Sequence, residues 1–315
     1  MSKGRIVFMG TPEFAVASLN ALVDAGFDVA AVVTAPDKPA GRGRQLRASA
    51  VKQRAAELQL PVLQPERLRD PAFHAELDRL GAALYVVVAF RMLPEAVWSK
   101  PSLGTINLHA SLLPDYRGAA PINWAVINGE KRTGITTFKL THEIDTGDIL
   151  LQEEVMIGEE DVAGDVHDRL MERGADLLVR TVQGLFAGTI ASSPQGEGER
   201  HGAPKLTPES CRIQWNVPVA GVHNLVRGLS PFPGAWTQWL MPDMAPQHFK
   251  ILRTRWSDLN DPAAEGTVNI AGDRLFVRAA DGWLEVIELQ PEGKRRMEAA
   301  AFVRGLRSTT NIRVV

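Results

Sequence analysis

The chain has 315 residues, of which 45% are hydrophobic and 23% are charged, with a formal net charge of −2. This length fits one large or two ordinary domains, and the small net charge excludes a chain that is basic throughout, so any nucleic-acid-binding surface must be local. The single cysteine, Cys211, excludes an internal disulfide and a cysteine-based metal site. The N-terminal apolar run is too short for a signal peptide and none approaches the roughly 20 residues of a membrane-spanning helix, so we expect a cytoplasmic protein.

The first half of the chain alternates strand-like and helix-like segments. Short apolar runs predict strands, and apolar residues at helical spacing predict helices between them. Residues 35–47 are rich in proline, glycine and arginine and predict a loop. The predicted strands are 6–9, 29–33, 84–89, 105–109 and 134–140, and the predicted helices are 14–23, 50–58, 122–127 and 162–186. This alternation predicts an α/β domain with a mostly parallel sheet covered on both faces.

The pattern changes near Gly188. Residues 189–204 contain the polar, glycine-rich and proline-rich stretch SSPQGEGERHGAP, which is typical of a linker. Beyond it, short strand-like pieces alternate with turn signals such as Asp281-Gly282, which predicts a smaller, largely β domain. These pieces are 248–255, 267–270, 274–279 and 283–289. We therefore expect a first domain at 1–188, a linker at 189–204 and a second domain at 205–315.

Three predicted strand ends carry residues that could do chemistry, and ligands of open parallel α/β sheets usually bind at the carboxyl ends of strands. The first, GTPEF at residues 10–14, lacks the G-x-G-x-x-G pattern, which argues against NAD or FAD. A plain strand-to-helix turn with proline in the first helical turn explains it equally well.

The second strand end contains Asn107 and His109. If Ile106 and Leu108 face the core, Asn107 and His109 share the opposite face. An imidazole can accept a proton near neutral pH, and an amide NH2 can donate to an oxygen that gains negative charge. The pair could therefore be catalytic, although a structural histidine remains the simpler alternative at this point.

The third strand end is the sequence HEIDTGD at residues 142–148. Asp145 could orient His109 or receive its proton. An Asp-x-Gly turn before the next strand explains the same residues. No second set of ligands stands at a metal-like spacing from His142 and Glu143, so we expect no metal.

Together these stretches resemble the signature of the 10-formyltetrahydrofolate-dependent formyltransferases. The resemblance is carried by Asn107-x-His109, by Ser111-Leu112-Leu113-Pro114 and by Asp145-Thr146-Gly147-Asp148. It implies a Rossmann-like α/β catalytic domain followed by an OB-like β-barrel domain, with Asn107, His109 and Asp145 as the catalytic residues. In that role His109 takes a proton from an attacking amine, Asp145 supports it, and Asn107 donates to the formyl oxygen as it becomes an oxyanion.

The signature alone does not choose among the acceptors of this family, but further stretches are similar to the members that act on initiator methionyl-tRNA. These stretches are GTPEFA at 10–15, PDKPAGRGR at 36–44, YRGAAP at 116–121, PKLT at 204–207 and PFPGAW at 231–236. The resemblance thus covers nearly the whole chain. It implies transfer of the formyl group of 10-formyltetrahydrofolate to an α-amino group, by a monomer that needs no metal.

The resemblance also implies which residues border the two substrates. The folate is expected against Ser111, Leu112, Leu113 and Pro114, and against Phe90, Arg91, Met92 and Leu93 around the pterin. The tRNA is expected against Lys38, Arg42, Arg44 and Arg47 of the basic loop, and against Lys294, Arg295 and Arg296 of the second domain. A solvated basic loop without a partner is the alternative for residues 35–47.

Three other functions compete with this interpretation. A formyltransferase for an amino-sugar nucleotide would share the three catalytic residues, but it would not need a long basic loop. A non-catalytic tRNA-binding or folate-dependent regulatory protein would not need Asn107, His109 and Asp145 intact. An enzyme that hydrolyses formyltetrahydrofolate would be expected to carry a separate regulatory domain, which the second half does not resemble.

Overall fold

The computed structural model describes residues 4–40, 45–196, 201–241, 245–306 and 312–315. The chain divides into two compact units, each described separately below. The first unit comprises residues 1–118, 133–155 and 167–202, and the second comprises 119–132, 156–166 and 203–315. Over the described ranges, none of the helices combines the length and the apolar composition that crossing a membrane requires.

Strands and helices alternate through the first part of the chain, as predicted. The strands up to residue 196 are β1 (Arg5–Gly10), β2 (Asp28–Val33), β3 (Lys38–Ala40), β4 (Gln45–Arg47), β5 (Val62–Leu63), β6 (Leu84–Val88), β7 (Thr105–His109), β8 (Arg132–Lys139) and β9 (Ile149–Met156). The helices are α1 (Glu13–Asp24), α2 (Ala50–Glu57), α3 (Pro71–Leu80), α4 (Glu95–Trp98), α5 (Pro121–Ile127) and α6 (Ala163–Ala187).

The first unit is built on a seven-stranded sheet with the order β5-β2-β1-β6-β7-β8-β9. The strands from β5 to β7 pair in parallel, and β8 pairs with β7 in the antiparallel direction. Four consecutive residues of β1, from Ile6 to Met9, are fully buried, as expected for a parallel strand covered on both faces. The predicted Rossmann-like, mostly parallel α/β sheet is confirmed.

The register of β6 and β7 determines where the candidate site lies. Val87 pairs with Asn107 and Val88 pairs with Leu108, so the two strands end side by side at the same edge of the sheet. Residues 90–93 after β6 and residues 111–114 after β7 therefore leave the sheet from neighbouring positions. This is the edge at which parallel α/β sheets bind ligands.

The prediction of a loop over residues 35–47 holds for 35–37 but is wrong for the rest of the described part. Strands β3 and β4 form a short antiparallel ribbon in which Lys38 lies opposite Arg47. Asp37 anchors its base by accepting from Lys52 Nζ at 2.6 Å and from Gln64 Nε2 at 2.8 Å. These two hydrogen bonds hold the pKa of the Asp37 carboxyl below its ordinary value. Two three-residue strands are too short to produce an alternation that sequence analysis can detect, and the proline and glycine content hid them.

Other short or polar elements of the first unit also escaped prediction. Helix α3 carries its own boundary signals, because Asp70 caps its first turn by accepting from Ala72 N at 2.9 Å, and Gly81 ends it at φ 60°. Strand β9 alternates buried and exposed residues at the edge of the sheet, where polar side chains face solvent. Both elements are less apolar than the central strands and were therefore missed.

The second unit contains an antiparallel sheet that nearly closes into a barrel. Besides α5, its helices and strands are α7 (Val219–Leu229), β10 (Ala235–Leu240), β11 (Gln247–Trp256), β12 (Val268–Ala271), β13 (Arg274–Arg278), β14 (Trp283–Pro291), β15 (Met297–Glu298), α8 (Ala299–Arg304) and β16 (Arg313–Val314). The strand order is β12-β13-β14-β11-β10-β16, and an antiparallel bridge between Thr267 and Arg313 joins its two ends. The predicted OB-like β-barrel is therefore confirmed.

Helix α7 was not predicted within this β-rich unit. It buries Val222, Val226 and Leu229 against the core that the barrel strands form. Its valines and glycines have low intrinsic helix propensity, so packing of its apolar face stabilises the helix where composition does not.

Candidate active site

Asn107 and His109 lie on β7, between β6 and β8. Ile106 and Leu108 are buried, at 0% and 3% exposed. The alternation of a strand places Asn107 and His109 on the other face, with Asn107 partly exposed and His109 at 6% exposed. The structure thus brings an amide and an imidazole to the strand end, two residues apart.

The imidazole of His109 has a different neighbour at each ring nitrogen. Its Nε2 atom lies 2.9 Å from the carbonyl oxygen of Tyr116, and its Nδ1 atom lies 3.7 Å from Asp145 Oδ2. A carbonyl oxygen only accepts, so Nε2 carries a proton in this contact. In neutral His109 the lone pair is then on Nδ1, which faces the carboxylate. Nδ1 is therefore the ring nitrogen that can accept a proton, and a carboxylate at this position favours the imidazolium form.

The Tyr116 carbonyl is held in place by its surroundings. The Tyr116 N–H donates to the carbonyl oxygen of His201 at 2.7 Å, and the two rings stack with centroids 5.5 Å apart and an interplanar angle of 15°. On the preceding residue, Ser111 Oγ donates to the carbonyl oxygen of Asp115 at 2.6 Å. A backbone oxygen fixed in this way can orient an imidazole as a side chain does.

Asp145 is fixed by a tight turn. Its carboxylate Oδ2 accepts from the Gly118 N–H at 3.0 Å, its side chain is 13% exposed, and its backbone has φ 54°. Aspartate tolerates this left-handed conformation better than most residues with a Cβ. At Gly147, a Cβ would lie 1.6 Å from the carbonyl oxygen of Lys139, so only glycine fits. The Asp-x-Gly turn therefore also positions the carboxylate that faces His109.

The segment Ser111–Pro114 is organised by two polar residues that sequence analysis did not single out. Thr136 Oγ1 donates to the Ser111 carbonyl oxygen at 2.7 Å and accepts from Leu113 N at 3.2 Å. Gln152 Nε2 donates to the Leu113 carbonyl oxygen at 3.0 Å and to Thr136 Oγ1 at 2.9 Å. Thr136 lies directly opposite His109 on β8, so the imidazole and this segment are built on one pair of strands.

Comparison with known proteins assigns the family. The family described as "Formyl transferase" matches residues 4–182, and "Formyl transferase, C-terminal domain" matches residues 205–307. The chain is 49% identical over 311 residues to a methionyl-tRNA formyltransferase of Bacteroides fragilis, covering 97% of this chain and 96% of that one. The chain belongs to the methionyl-tRNA formyltransferase family. A methionyl-tRNA formyltransferase of Phocaeicola vulgatus is 50% identical over 317 residues, covering 98% of each chain.

The fold extends to more distant formyltransferases. The crystal structure of WlaRD, a sugar 3N-formyl transferase, superposes with a TM-score of 0.66 at 15% identity, covering 94% of this chain and 100% of that one. At this identity the likeness concerns the fold alone. The family resemblance stated from the sequence is confirmed by the relatives of high identity.

The residues expected around the pterin lie beyond β6 in this formyltransferase. Leu93 is buried at 8% exposed, while Met92 is 71% exposed. The Arg91 guanidinium contacts the backbone of the connection between β5 and α3. Its Nη1 donates to the Glu66 carbonyl oxygen at 3.0 Å, and its Nη2 donates to the Pro65 carbonyl oxygen. Burial lowers the pKa of Arg91 from its ordinary value. Arg91 therefore fixes the backbone beside the sheet edge, whereas the Met92 side chain is available to a ligand.

The residues expected to contact tRNA are divided between the two units. In the first, Lys38 and Arg47 are exposed on the β3–β4 ribbon, while Arg42 and Arg44 lie outside the described residues. In the second, Lys294 and Arg295 are exposed in the connection between β14 and β15. The next residue, Arg296, pairs with both carboxylate oxygens of Glu288, which raises the pKa of the arginine. The charge of Arg296 is therefore already balanced by a carboxylate, whereas Lys294 and Arg295 are exposed.

Proposed function

We propose that the protein transfers the formyl group of 10-formyltetrahydrofolate to the α-amino group of initiator methionyl-tRNA, giving N-formylmethionyl-tRNA for translation initiation. The observation that carries the proposal is the pair of contacts at His109, with the Nε2 atom on the Tyr116 carbonyl and the Nδ1 atom facing Asp145. The methionyl-tRNA formyltransferases that are about half identical to the whole chain support the choice of acceptor.

The chemistry starts at the amine of the acceptor. An α-amino group has a pKa of about 8 and is partly protonated near neutral pH, so a base at the site helps to keep it reactive. The amine nitrogen attacks the formyl carbon, and His109 Nδ1 takes the proton that the nitrogen must lose. Asn107 donates from its amide to the formyl oxygen, which carries negative charge in the tetrahedral intermediate.

The intermediate collapses when the bond between the formyl carbon and N10 of the folate breaks. The proton held by His109 passes to N10, so that tetrahydrofolate leaves neutral at that atom and His109 returns to its starting state. Asp145 stabilises the imidazolium between the two proton transfers. The sequence of steps requires neither a metal nor a covalent enzyme intermediate.

Each substrate is assigned a region of the chain on the basis of the expected site residues. The folate would lie along Ser111–Pro114 and Phe90–Leu93, where the ends of β7 and β6 adjoin. The tRNA would contact the exposed cations of the ribbon and of the second unit. We assign catalysis to residues 1–188, the connection to 189–204 and tRNA binding to 205–315, in a cytoplasmic, monomeric enzyme.

A competition between acceptors tests the function. Purified protein is mixed with 10-formyltetrahydrofolate and either charged initiator tRNA or an amino-sugar nucleotide, and formylation of each amine is followed. We expect transfer to the tRNA alone. Transfer to the sugar alone would show that the acceptor is an amino sugar, without contradicting the assignment of the catalytic residues. Folate binding without transfer to either acceptor would contradict the proposed function.

A further inference from the structure

Gln195 bridges two loops of the first unit. Its Nε2 atom donates to the carbonyl oxygens of Asp145 and Gly147, both at 2.8 Å. Its Oε1 atom accepts from the Arg117 guanidinium, at 3.2 Å from Nε and 2.6 Å from Nη2. Carbonyl oxygens only accept and a guanidinium only donates, so the partners themselves fix the orientation of the amide.

The segment around Gln195 was expected to be a linker, but it is bound to the sheet. Ile149 and Ser193 exchange two backbone hydrogen bonds, of 2.8 and 2.9 Å. Gln195 is partly buried two residues further along. The segment therefore belongs structurally to the first unit, where its side chains can act on the site.

The two loops that Gln195 joins hold the two polar neighbours of His109. One loop contains Asp145, whose carboxylate faces Nδ1. The other contains Tyr116 and Arg117, and the Tyr116 carbonyl accepts from Nε2. Between them, the Gly118 N–H donates to Asp145 Oδ2. The Gln195 amide adds to that hydrogen bond three contacts of its own, two to the Asp145 loop and one to the guanidinium of Arg117.

We propose that Gln195 is a positioning residue for formyl transfer, which holds the Asp145 carboxylate and the Tyr116 carbonyl on opposite sides of the His109 imidazole. The expected effect of Gln195 on kcat rests on the proposed function, whereas its expected effect on the surroundings of the His109 imidazole holds for any function. Gln195 acts through Asp145 and Arg117 and need not touch either substrate.

Two variants separate hydrogen bonding from packing. Gln195→Ala removes the whole side chain, and Gln195→Glu keeps its size and its acceptor for Arg117 while turning carboxylate oxygen toward two carbonyl oxygens. We expect both to lower kcat by about 10- to 100-fold, because small displacements of catalytic groups have effects of this size. KM for the folate and for the tRNA should change by less than about twofold, since the variants leave the expected contacts to both substrates in place.

Ser192→Ala is the matched control. Ser192 lies in the same segment and donates to Asp148 Oδ2 at 3.2 Å, so it bonds to the same turn without contacting Asp145. Its loss should leave kcat unchanged. A Gln195→Glu variant as active as the unmodified protein, or an equal loss of kcat in Ser192→Ala, would overturn the proposal.

The nitrogen-15 resonances of the His109 imidazole give a readout that a general loss of folding would not mimic. Their frequencies depend on the contact of Nε2 with the Tyr116 carbonyl and on the carboxylate that faces Nδ1, so displacement of either group should shift them. The Phe138 ring, whose centroid lies 6.5 Å from that of the imidazole, is the same in all the variants.

Nitrogen-15 NMR of the full chain without substrate records these resonances, with the His109→Ala variant to assign them. We expect them to shift in Gln195→Ala and to stay in place in Ser192→Ala. Unchanged His109 resonances in Gln195→Ala would contradict the proposal. If the unmodified protein transferred no formyl group, the proposed function would fail while this spectrum still tested Gln195.

Discussion

The Nε2 atom of His109 lies 2.9 Å from the carbonyl oxygen of Tyr116, and this contact selects the tautomer of the neutral imidazole. Because the carbonyl can only accept, the proton resides on Nε2 and Nδ1 is left as the base. Nitrogen-15 NMR of the neutral imidazole should show a protonated Nε2 and an unprotonated Nδ1. The opposite tautomer would transfer the role of base to Nε2 and contradict the assigned proton path.

Thr136→Val should weaken folate binding through the segment Ser111–Pro114. The substitution removes the hydroxyl that bonds to Ser111 and Leu113, in a side chain with no exposure to solvent. Leaving such buried backbone groups without a partner costs about 1–3 kcal/mol, so the free energy of unfolding should fall by that amount. The Kd for the folate, measured by titration calorimetry, should rise as well.

Thr137→Val on the same strand is the control for this substitution. Thr137 Oγ1 is also buried, and it bonds to Thr181 Oγ1 at 2.8 Å and to Leu151 N at 3.2 Å. It should destabilise the fold to a similar extent without changing folate affinity. Equal changes of folate affinity in the two variants would show that the effect is one of stability alone.

The ribbon cations should matter for the tRNA and not for the folate. Lys38→Ala and Arg47→Ala each remove an exposed cation from adjacent positions of β3 and β4. Loss of one phosphate contact reduces the slope of log KM for tRNA against log salt by about one, whereas KM for the folate should stay constant. Lys131→Ala, an exposed lysine outside the ribbon, is the control. A salt slope that is the same in all three variants would remove the ribbon from the tRNA-binding surface.

His223 should make the fold sensitive to acid. It is 2% exposed and its Nδ1 lies 2.9 Å from Thr254 Oγ1; burial, with a smaller contribution from Arg227, lowers its pKa to about 4. The ordinary value in an unfolded chain is about 6.5, so the unfolded state binds the proton first as pH falls. The stabilising effect of neutral His223 is therefore complete above the unfolded pKa and is lost between the two pKa values.

Urea unfolding of the native chain and of His223→Gln tests whether neutral His223 stabilises the fold and whether this stabilisation is lost as the pH falls. Between about pH 7 and about pH 5, the native chain should lose about 2 kcal/mol more of its unfolding free energy than the variant, by linkage of the two pKa values. Other titrating groups are common to both proteins and cancel in the difference. A difference of zero, or a variant that loses more than the native chain, would contradict the buried, neutral state of this histidine.

Sequence analysis could predict that Asn107, His109 and Asp145 stand at strand ends, because residue types and spacing carry that information. The alternation along β7 placed Asn107 and His109 on one face, and Asp145 stood at another strand end. The Tyr116 carbonyl could not be predicted in the same way, since a backbone oxygen has no residue type. Strand β8 contains Thr133, Thr136 and Thr137, but threonine is common in strands and nothing in the sequence distinguished Thr136 from the other two.

Composition predicted a linker around Gln195 and a loop at the β3–β4 ribbon, and it did not reveal the contacts that order either segment. The residues around Gln195 are small, polar and rich in proline and glycine, which is typical of a linker, yet their hydrogen bonds are to residues about 50 positions away along the chain. Strands β3 and β4 form through a local pairing with no apolar periodicity. In both places the structure depends on specific partners, which composition does not record.

The rate of a single turnover tests the central claim most directly. Enzyme in excess over methionyl-tRNA is mixed with 10-formyltetrahydrofolate, and transfer is timed for the unmodified protein, His109→Ala and His142→Ala. His142 is the control, because its side chain is 87% exposed on the connection that carries Asp145. We expect His109→Ala to be slower by about 10²- to 10⁴-fold, with His142→Ala unaffected. Transfer by His109→Ala at the unmodified rate would contradict the assignment of the base.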